Sequence, residues 1–518
     1  MKKQILVLMA ALYTVSLSGQ PLTPPQIDSI AELTLKTFEV PGIAVAVIKD
    51  GKVIHAKGYG VRSLNTMQKV DANTLFGIAS NSKAFTATGL GMLVDEGKLK
   101  WTDKVIDYLP EFRMYNTYVS DEFTIADLLT HRSGLGLGAG DLMFWPDSSD
   151  FTKQDMIHNL RYLKQVSGFR TKFDYDNNLY LVAGEVLAKV SGMSWEDFID
   201  KRILQPLAMT ATAPSFKLLK DKSNVVDPHA PVDGKVKVIR RDWNEAANAA
   251  GGIYSNLTDM SKWVIMHINN GKYGEGLSKK MVSEDVHNDL WTQQTIIPVN
   301  GPSPYNTHFA GYGLGFFLSD VKGYKQISHT GGLAGIVTQV TMIPELNLGI
   351  IVFTNQQAGA AFTAITNSIK DGYLGIKDAN RVKQQHDNVV KNLDNAKKIT
   401  GQLWKDIDSV QKANKTKPDL SKFTGTFSDK WFGDVIVSQK NGKLLFNSKR
   451  SFLLSGEMMP YKDNSFIVKW NDRSMDADAF VNYSIDENGK PSEIKMKAIS
   501  PLTDFSFDFH DLDLMRTK

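Results

Sequence analysis

Apolar residues recur along this chain with two spacings, one typical of strands and one of helices. A β-hairpin is predicted over 42–60, because alternating apolar positions surround a turn at Asp50-Gly51. Helical spacing predicts four helices, over 27–38, 80–96, 260–269 and 361–373. Alternation returns in four further predicted strands, over 312–318, 324–328, 335–343 and 348–354.

The order of these elements indicates the fold class. The predicted strands lie near both ends of the region 20–375, and a mainly helical stretch over 98–248 separates them. This order lacks the regular alternation of strand and helix that builds a parallel sheet. We therefore predict an α+β domain over 20–375, in which an antiparallel sheet is flanked by helices and carries an inserted, mainly helical region.

The rest of the chain predicts a second, smaller domain. Residues 376–419 are polar and charged with regularly spaced apolar residues, which is typical of a linker helix. From 420 to 518, short apolar runs alternate with turns such as Asn441-Gly442 and Asn488-Gly489. This pattern predicts an all-β, barrel-like domain at the C-terminus.

Residues 1–19 have the layout of a secretory signal. Lys2 and Lys3 precede an apolar run over 5–15, and small residues suited to cleavage follow it. The run is too short to span a bilayer, which needs about 20 apolar residues. We therefore expect the mature protein in the periplasm or outside the cell, without an integral membrane segment.

Composition narrows the range of partners and cofactors. The 60 basic and 56 acidic residues nearly balance, so nothing in the charge favours a nucleic-acid partner. The absence of cysteine excludes disulfides, a thiol nucleophile and cysteine-ligated zinc. No H-E-x-x-H motif occurs either, and we expect no metal and no other cofactor. The expected partner is a small-molecule or peptide substrate, and the sequence leaves the oligomeric state open.

The first chemical signal is the S-x-x-K motif at the predicted start of the helix over 80–96. Ser80 and Lys83 are three residues apart and share one helical face. A serine hydroxyl needs a neighbouring base to become a good nucleophile, and free N–H groups at a helix start can stabilise an oxyanion. The same motif also occurs at 319–322, 409–412 and 492–495. The motif alone therefore does not single out Ser80.

Two further motifs follow in order. Tyr175-Asp176-Asn177 precedes a predicted helix over 180–190, and His329-Thr330-Gly331-Gly332 ends a predicted strand. S-x-x-K, Y-x-N and a K-T-G-like triplet in this order resemble the penicillin-recognising serine enzymes. The version here is similar to the class C β-lactamase and peptidase S12 group, which includes esterases and D-aminopeptidases. The resemblance covers 25–375, and the tail resembles a small β domain often appended to such enzymes.

The resemblance implies roles for the first two motifs. Ser80 is implied to be the nucleophile that becomes acylated. Lys83 and Tyr175 are implied to handle protons, and which of them is the base stays open because both titrate near about 10 in isolation. Asn177 is implied to bind the substrate near its amide or ester carbonyl.

The third motif carries the main departure from the family. Thr330, Gly331 and Gly332 are implied to bind substrate, and the family's oxyanion hole corresponds to the backbone N–H groups of Ser80 and Gly332. His329 stands where a β-lactamase has a lysine, whose fixed charge suits a substrate carboxylate. Histidine is mostly neutral at pH 7. We therefore expect peptidase or esterase activity in preference to β-lactam hydrolysis, with His329 as a catalytic donor or general acid.

Three functional hypotheses remain. The leading one is an exported serine hydrolase that forms an acyl-enzyme on Ser80 with peptides, D-amino-acid-containing peptides or esters. A β-lactamase is the alternative within the same chemistry. A non-catalytic binding or sensor module is the alternative from a different class. His131 is predicted to be a packed loop residue, and the glycine-rich stretch 134–140 lacks the spacing of a nucleotide-binding loop.

Overall fold

The computed structural model describes residues 20–241, 243–300, 304–413 and 419–517. The predicted signal over 1–19 lies outside the described residues. Among the helices in the described ranges, none combines the length and the apolar character that crossing a membrane requires. The described chain forms an α+β domain, a long helix and a closed β-barrel, in that order.

An eight-stranded sheet forms the centre of the α+β domain. Its strands are β1 (Gly42–Lys49), β2 (Lys52–Gly60), β3 (Thr295–Ile297), β4 (Ala310–Tyr312), β5 (Phe317–Val321), β6 (Tyr324–Leu333), β7 (Ile336–Ile343) and β8 (Leu348–Thr354). Their order is β2-β1-β8-β7-β6-β5-β4-β3, and every neighbouring pair is antiparallel. The pairing of β1 with β8 joins the two ends of the domain, so the insertion lies between them in sequence.

Helices cover both faces of this sheet. The longer ones are α1 (Pro24–Thr37), α2 (Ser82–Asp95), α3 (Asn178–Ser191), α4 (Leu257–Ile268) and α5 (Gly359–Leu374). Ile43, Val45 and Val47 of β1 pack into the core formed with α1 and α5. Ala44 and Ala46, on the other face of β1, belong to the core that includes α2 and α4. The predicted α+β class is confirmed, and both faces of β1 are buried.

The inserted region is mainly helical, as predicted. Its shorter helices are Val105–Tyr108, Thr117–Glu122, Ile125–Leu128, Lys153–Asn159, Trp195–Phe198, Asn248–Gly251 and Glu284–Leu290, with a π-helix at Ile199–Leu204. In and around this region, the described residues form three small sheets, which pair Phe76–Gly77 with Tyr254–Ser255, His229–Val232 with Lys235–Val238, and Lys272–Tyr273 with Lys279–Lys280. The pairing of the first small sheet brings the chain just before Ser80 against the end of the insertion.

Two predicted strand boundaries are wrong. The stretch 312–318 is divided between β4 and β5 by a turn, in which Gly315 has a φ of 85°. A Cβ on Gly315 would lie 2.9 Å from the Cβ of Ala87, so close packing on α2 requires glycine there. β6 continues beyond the predicted end at 328, because Leu333 still pairs with Ile336 of β7. The third motif therefore lies within β6.

A 33-residue helix, α6 (Arg381–Ala413), follows the α+β domain. Arg381 forms a buried ion pair with Asp371 of α5 at 2.6 Å, and Ile407 packs on Ile467 and Ile499 of the C-terminal domain. That domain is a closed barrel of β9 (Gly425–Asp429), β10 (Gly433–Lys440), β11 (Lys443–Ser448), β12 (Ser455–Pro460), β13 (Ser465–Trp470), β14 (Ala479–Ile485), β15 (Pro491–Ala498) and β16 (Leu514–Arg516). The predicted barrel-like domain is confirmed.

The barrel packs against the inserted region. Arg450 of the barrel forms ion pairs with Asp150 and Asp155, at 2.7 and 2.8 Å. The carboxylate of Asp508 accepts a hydrogen bond from the backbone N–H of Gly140 at 2.7 Å. These contacts place the C-terminal segment beside the loop that follows the glycine-rich stretch.

Candidate active site

Ser80 lies in a 3-10 turn, Ala79–Asn81, directly before α2. Ala79 has a φ of 51°, a left-handed conformation that is costly for a residue with a Cβ. The α-helix begins at Ser82, two residues later than predicted, because this sharp turn precedes it. Ser80 thereby lines a cavity at the helix start.

Close packing against β6 and β7 holds this turn. The side-chain amide of Asn81 donates to Thr338 Oγ1 at 2.9 Å, and the Thr338 hydroxyl donates to the Ile78 carbonyl at 2.9 Å. A Cβ on Gly331 of β6 would lie 2.2 Å from that carbonyl oxygen and 2.9 Å from the Cβ of Ala79. Gly331 therefore allows the turn that carries Ser80 to lie against the sheet.

We expect Gly331→Ala to slow acylation of Ser80 by about 100-fold or more, because the added methyl group displaces the turn from β6. The same clash should lower the free energy of unfolding by about 1–3 kcal/mol. Gly332→Ala is the matched control for stability, since a Cβ there meets no atom within 4 Å. Thermal unfolding of both variants and labelling by a fluorophosphonate test this. Wild-type labelling of Gly331→Ala would contradict it.

Lys83 is fully buried, and its side-chain nitrogen contacts three oxygens. Nζ lies 3.0 Å from Ser80 Oγ, 2.7 Å from Asn177 Oδ1 and 2.9 Å from the Ala250 carbonyl oxygen. Burial lowers the pKa of Lys83 to about 7, although nearby carboxylates oppose the shift. A neutral amine has two N–H donors and one lone pair. It can therefore donate to Asn177 and Ala250 and accept the proton of Ser80.

Tyr175 lies on the loop before α3, and its ring lies close to His131 and Lys83. Its ring centroid is 4.1 Å from that of His131 and 4.9 Å from Lys83 Nζ. Burial raises the pKa of Tyr175 above its usual value, and a side-chain hydrogen bond with Ser80 opposes the shift. His131 is itself buried and accepts the Asp176 N–H at 3.0 Å. Tyr175 is therefore a neutral phenol near pH 7.

Asn177 connects Lys83 to a residue that the sequence reasoning missed. Its Oδ1 accepts from Lys83, and its Nδ2 donates to Asp141 Oδ2 at 2.9 Å. Asp141 is fully buried, and burial raises its pKa well above the usual value. Asp141 directly follows the glycine-rich stretch 134–140, and no motif covers it. The only sequence signal was an acidic residue in an otherwise apolar, glycine-rich loop.

His329 is buried on β6, and both its ring nitrogens have protein partners. Nδ1 donates to the Thr330 carbonyl at 2.5 Å, and Nε2 accepts from the Tyr312 hydroxyl at 2.9 Å. Burial and the neighbouring Lys83 lower the pKa of His329 to about 3, so the ring is neutral. Thr330 and Gly332 of the same motif line the cavity. The roles predicted for this motif stay predictions.

The cavity beside Ser80 has a volume of about 420 Å³, which suits a small ligand. Its wall includes seven aromatic residues, which are Phe144, Trp145, Phe173, Tyr175, Trp243, Phe317 and Phe505. Phe505 comes from the C-terminal domain, as do Asp504 and Ser506. A neighbouring cavity of about 280 Å³ shares Trp145, Gln357 and Asp504 with it. The two cavities therefore lie next to each other at the domain interface.

Possible metal ligands gather at one place in the described ranges. Asp508, His510 and Asp511 of the C-terminal domain have ligand atoms within 4.8 Å of one another. Asp508 already accepts the Gly140 N–H, so this group also joins the two domains. The residues predicted to be catalytic are not part of it. The expected lack of a metal or other cofactor stays a prediction.

The fold and the residues at this cavity define a penicillin-binding-protein-like hydrolase. The family model described as Beta-lactamase matches residues 28–371, and the chain belongs to this family. A second model, described as a domain of unknown function (DUF3471), matches residues 410–516. The family resemblance inferred from the three motifs is confirmed.

Similar proteins include a hydrolase and two solved structures. The unguisins hydrolase ungD of Aspergillus violaceofuscus is 28% identical over 439 residues, which are 79% of this chain and 76% of the relative. The octameric penicillin-binding protein homologue from Pyrococcus abyssi superposes with a TM-score of 0.60 at 21% identity, covering 92% and 98% of the two chains. SurE in complex with D-Leu has a TM-score of 0.53 at 16% identity, covering 95% and 99%. The two structural similarities concern the fold alone.

Proposed function

We propose that the protein is an exported serine hydrolase that cleaves small peptides, including D-amino-acid-containing ones, or esters through an acyl-enzyme on Ser80. One observation carries the proposal. Lys83 Nζ lies 3.0 Å from Ser80 Oγ, in a buried environment that lowers the lysine pKa to about 7. A general base is most effective when its pKa is close to the working pH.

The geometry supports Lys83 as the base and Tyr175 as the proton donor. Lys83 takes the Ser80 proton as Oγ attacks the substrate carbonyl carbon, and the backbone N–H groups of Ser80 and Gly332 stabilise the oxyanion. Tyr175 gives its proton to the leaving amine or alcohol as the bond to the acyl carbon breaks, and Lys83 reprotonates it. Water then attacks the acyl-enzyme, which releases the acid and returns the proton to Ser80.

The aromatic wall of the cavity supports substrates with an apolar acyl group. The Aspergillus relative is named as a hydrolase, which agrees with hydrolytic chemistry, and the D-Leu complex of SurE agrees with a substrate that contains a D-amino acid. The site is less suited to binding β-lactams. The third motif supplies a buried neutral His329 where a fixed positive charge would bind the β-lactam carboxylate.

Acylation is tested by treating the mature protein with a fluorophosphonate, a penicillin and a panel of D- and L-amino-acid p-nitroanilides and esters. We expect a fluorophosphonate adduct on Ser80 by mass spectrometry and turnover of an amide or ester with an apolar acyl group. A folded protein that no probe acylates would support the non-catalytic alternative. Rapid turnover of penicillin would instead support the β-lactamase alternative.

Export is the second part of the proposal and is supported by Lys2, Lys3 and the apolar run over 5–15. We expect full-length protein expressed in a bacterium to reach the periplasm or the medium with its N-terminus close to Gln20. Intact-mass measurement of the fractionated protein tests this. A cytoplasmic protein that retains residues 1–19 would contradict it.

A further inference from the structure

Asp141 occupies the centre of a hydrogen-bond chain that crosses the domain interface. Its Oδ2 accepts from Asn177 Nδ2 at 2.9 Å and from Ser506 Oγ at 2.7 Å. Ser506 belongs to the C-terminal domain and is buried, as is Asp141. Since Asn177 Oδ1 accepts from Lys83, which contacts Ser80, the chain runs without a break from the C-terminal domain to the predicted nucleophile.

The hydrogen bonds on either side of Asn177 determine the orientation of its side-chain amide. With Oδ1 towards Lys83 and Nδ2 towards Asp141, each contact pairs a donor with an acceptor. A reversed amide would place its NH2 group against the lysine donors and its carbonyl against the carboxylate. The two hydrogen bonds that the amide makes now would then be lost, and Lys83 would lose one of its three oxygen partners. Asp141 therefore selects the orientation in which Asn177 holds Lys83 beside Ser80.

Ser506 in turn holds the Asp141 carboxylate. The second carboxylate oxygen, Oδ1, has no hydrogen-bond partner among the described residues, so both side-chain bonds fall on Oδ2. Without Ser506, one hydrogen bond would have to fix a buried carboxylate, which could then rotate. The neighbouring contacts keep Ser506 in place: Asp508 accepts the Gly140 N–H, and the Phe505 ring lies 5.9 Å from that of Tyr175.

We propose that Asp141 and Ser506 are positioning residues of the active site, with Ser506 holding the carboxylate that orients the Asn177 amide towards Lys83. The C-terminal domain is then part of the catalytic unit and not only a cover over the cavity. This inference rests on the proposed acylation of Ser80.

The test compares rate constants for acylation by a fluorophosphonate in four variants. Asp141→Ala should lower the maximal rate constant by about 10- to 100-fold with little change in the probe concentration at half-maximal rate, because the alignment of Lys83 is lost. Asp141→Asn keeps an acceptor oxygen and should restore the rate to within a few-fold of wild type. Ser506→Ala should lower it by about three- to tenfold, and Ser506→Thr should retain it.

A double-mutant cycle separates positioning from a general loss of stability. Because Ser506 acts through Asp141, the double variant Asp141→Ala/Ser506→Ala should be acylated no more slowly than Asp141→Ala alone. Independent, multiplicative losses would overturn the proposal, as would equal losses in Asp141→Asn and Asp141→Ala. If Asp141→Ala does not fold, the acylation rate constants of Ser506→Ala and Ser506→Thr are compared instead. Equal rate constants in these two variants would overturn the proposal.

Arg450→Ala is the matched interface control, since it removes the ion pairs with Asp150 and Asp155 without altering the chain through Asp141. We expect its acylation rate to stay within about twofold of wild type, as for an exposed ion pair. If Arg450→Ala slows acylation as much as Ser506→Ala does, any loosening of the interface slows acylation, and the specific role of Ser506 is overturned. Failure of wild type to be acylated would instead contradict the proposed function.

Discussion

Ser80→Ala should abolish covalent labelling and lower turnover by about four to six orders of magnitude, as expected when a catalytic nucleophile is removed. The hydroxyl is the only group that the proposed mechanism acylates. Stability should change little, because Ser80 lies at the cavity and loses only its hydroxyl oxygen. Intact-mass spectrometry after fluorophosphonate treatment, together with the hydrolysis rate of the best substrate, measures both effects.

Ser409→Ala is the matched control, because Ser409 also begins an S-x-x-K motif. It lies on α6, where its hydroxyl donates to the Lys405 carbonyl at 2.7 Å, so the same sequence pattern has a purely helical role there. Labelling and turnover of this variant should equal those of wild type. Stoichiometric labelling of Ser80→Ala at another residue would show that the nucleophile has been misassigned.

Lys83→Met should lower turnover by about two to four orders of magnitude, the usual contribution of a general base. Methionine has a similar length and fills the same buried space, but it cannot accept the Ser80 proton. The decrease should appear in the acylation rate constant as well as in steady-state turnover. Stopped-flow measurement with a chromogenic ester distinguishes acylation from deacylation.

Lys370→Met provides a control with the same physical properties outside the site. Lys370 lies on α5, donates to Gln326 at 2.8 Å and contacts the Tyr305 ring, and burial lowers its pKa to about 7, as for Lys83. Removing it changes the number of buried amines by one without altering the cavity. Turnover by Lys370→Met should match wild type, and an equal loss in both variants would contradict a specific role for Lys83.

The acylation rate should rise with pH through about 7, because the base is the unprotonated amine and burial lowers the pKa of Lys83 to about 7. Asp176 is also buried, and burial raises its pKa to about 7, so the observed midpoint belongs to the coupled pair. His329 does not contribute, since its pKa is lowered to about 3. A rate that falls as pH rises from 6 to 8 would contradict Lys83 as the base.

The same shift predicts a difference in stability. The unfolded chain keeps Lys83 protonated up to its ordinary pKa of about 10.4, whereas the folded chain releases the proton near pH 7. Between these two pH values the unfolded state therefore binds more protons than the folded state. The free energy of unfolding consequently rises with pH over this range. The difference in melting temperature between wild type and Lys83→Met should shift in favour of wild type from pH 7 to 10. A constant difference would contradict the lowered pKa.

Much of the fold could be predicted because its signals are local. Alternation and the Asp50-Gly51 turn define the hairpin of β1 and β2, and helical spacing defines α1, α2, α5 and α6. The wrong strand boundaries arose where packing against a segment distant in the sequence decides where a strand ends. The division between β4 and β5 depends on Gly315 packing against Ala87 of α2, a contact between segments far apart in the sequence.

By itself, the sequence determined the family, the α+β class with its appended barrel, and a short set of candidate residues led by Ser80 and Lys83. Only the tertiary structure decided that Lys83 is fully buried, that both nitrogens of His329 have partners, and that Asp141 and Ser506 meet. Motif spacing reports neighbours within one helical turn. Burial, pKa and hydrogen-bond partners depend instead on segments brought together by folding, and Asp141 and Ser506 are 365 positions apart.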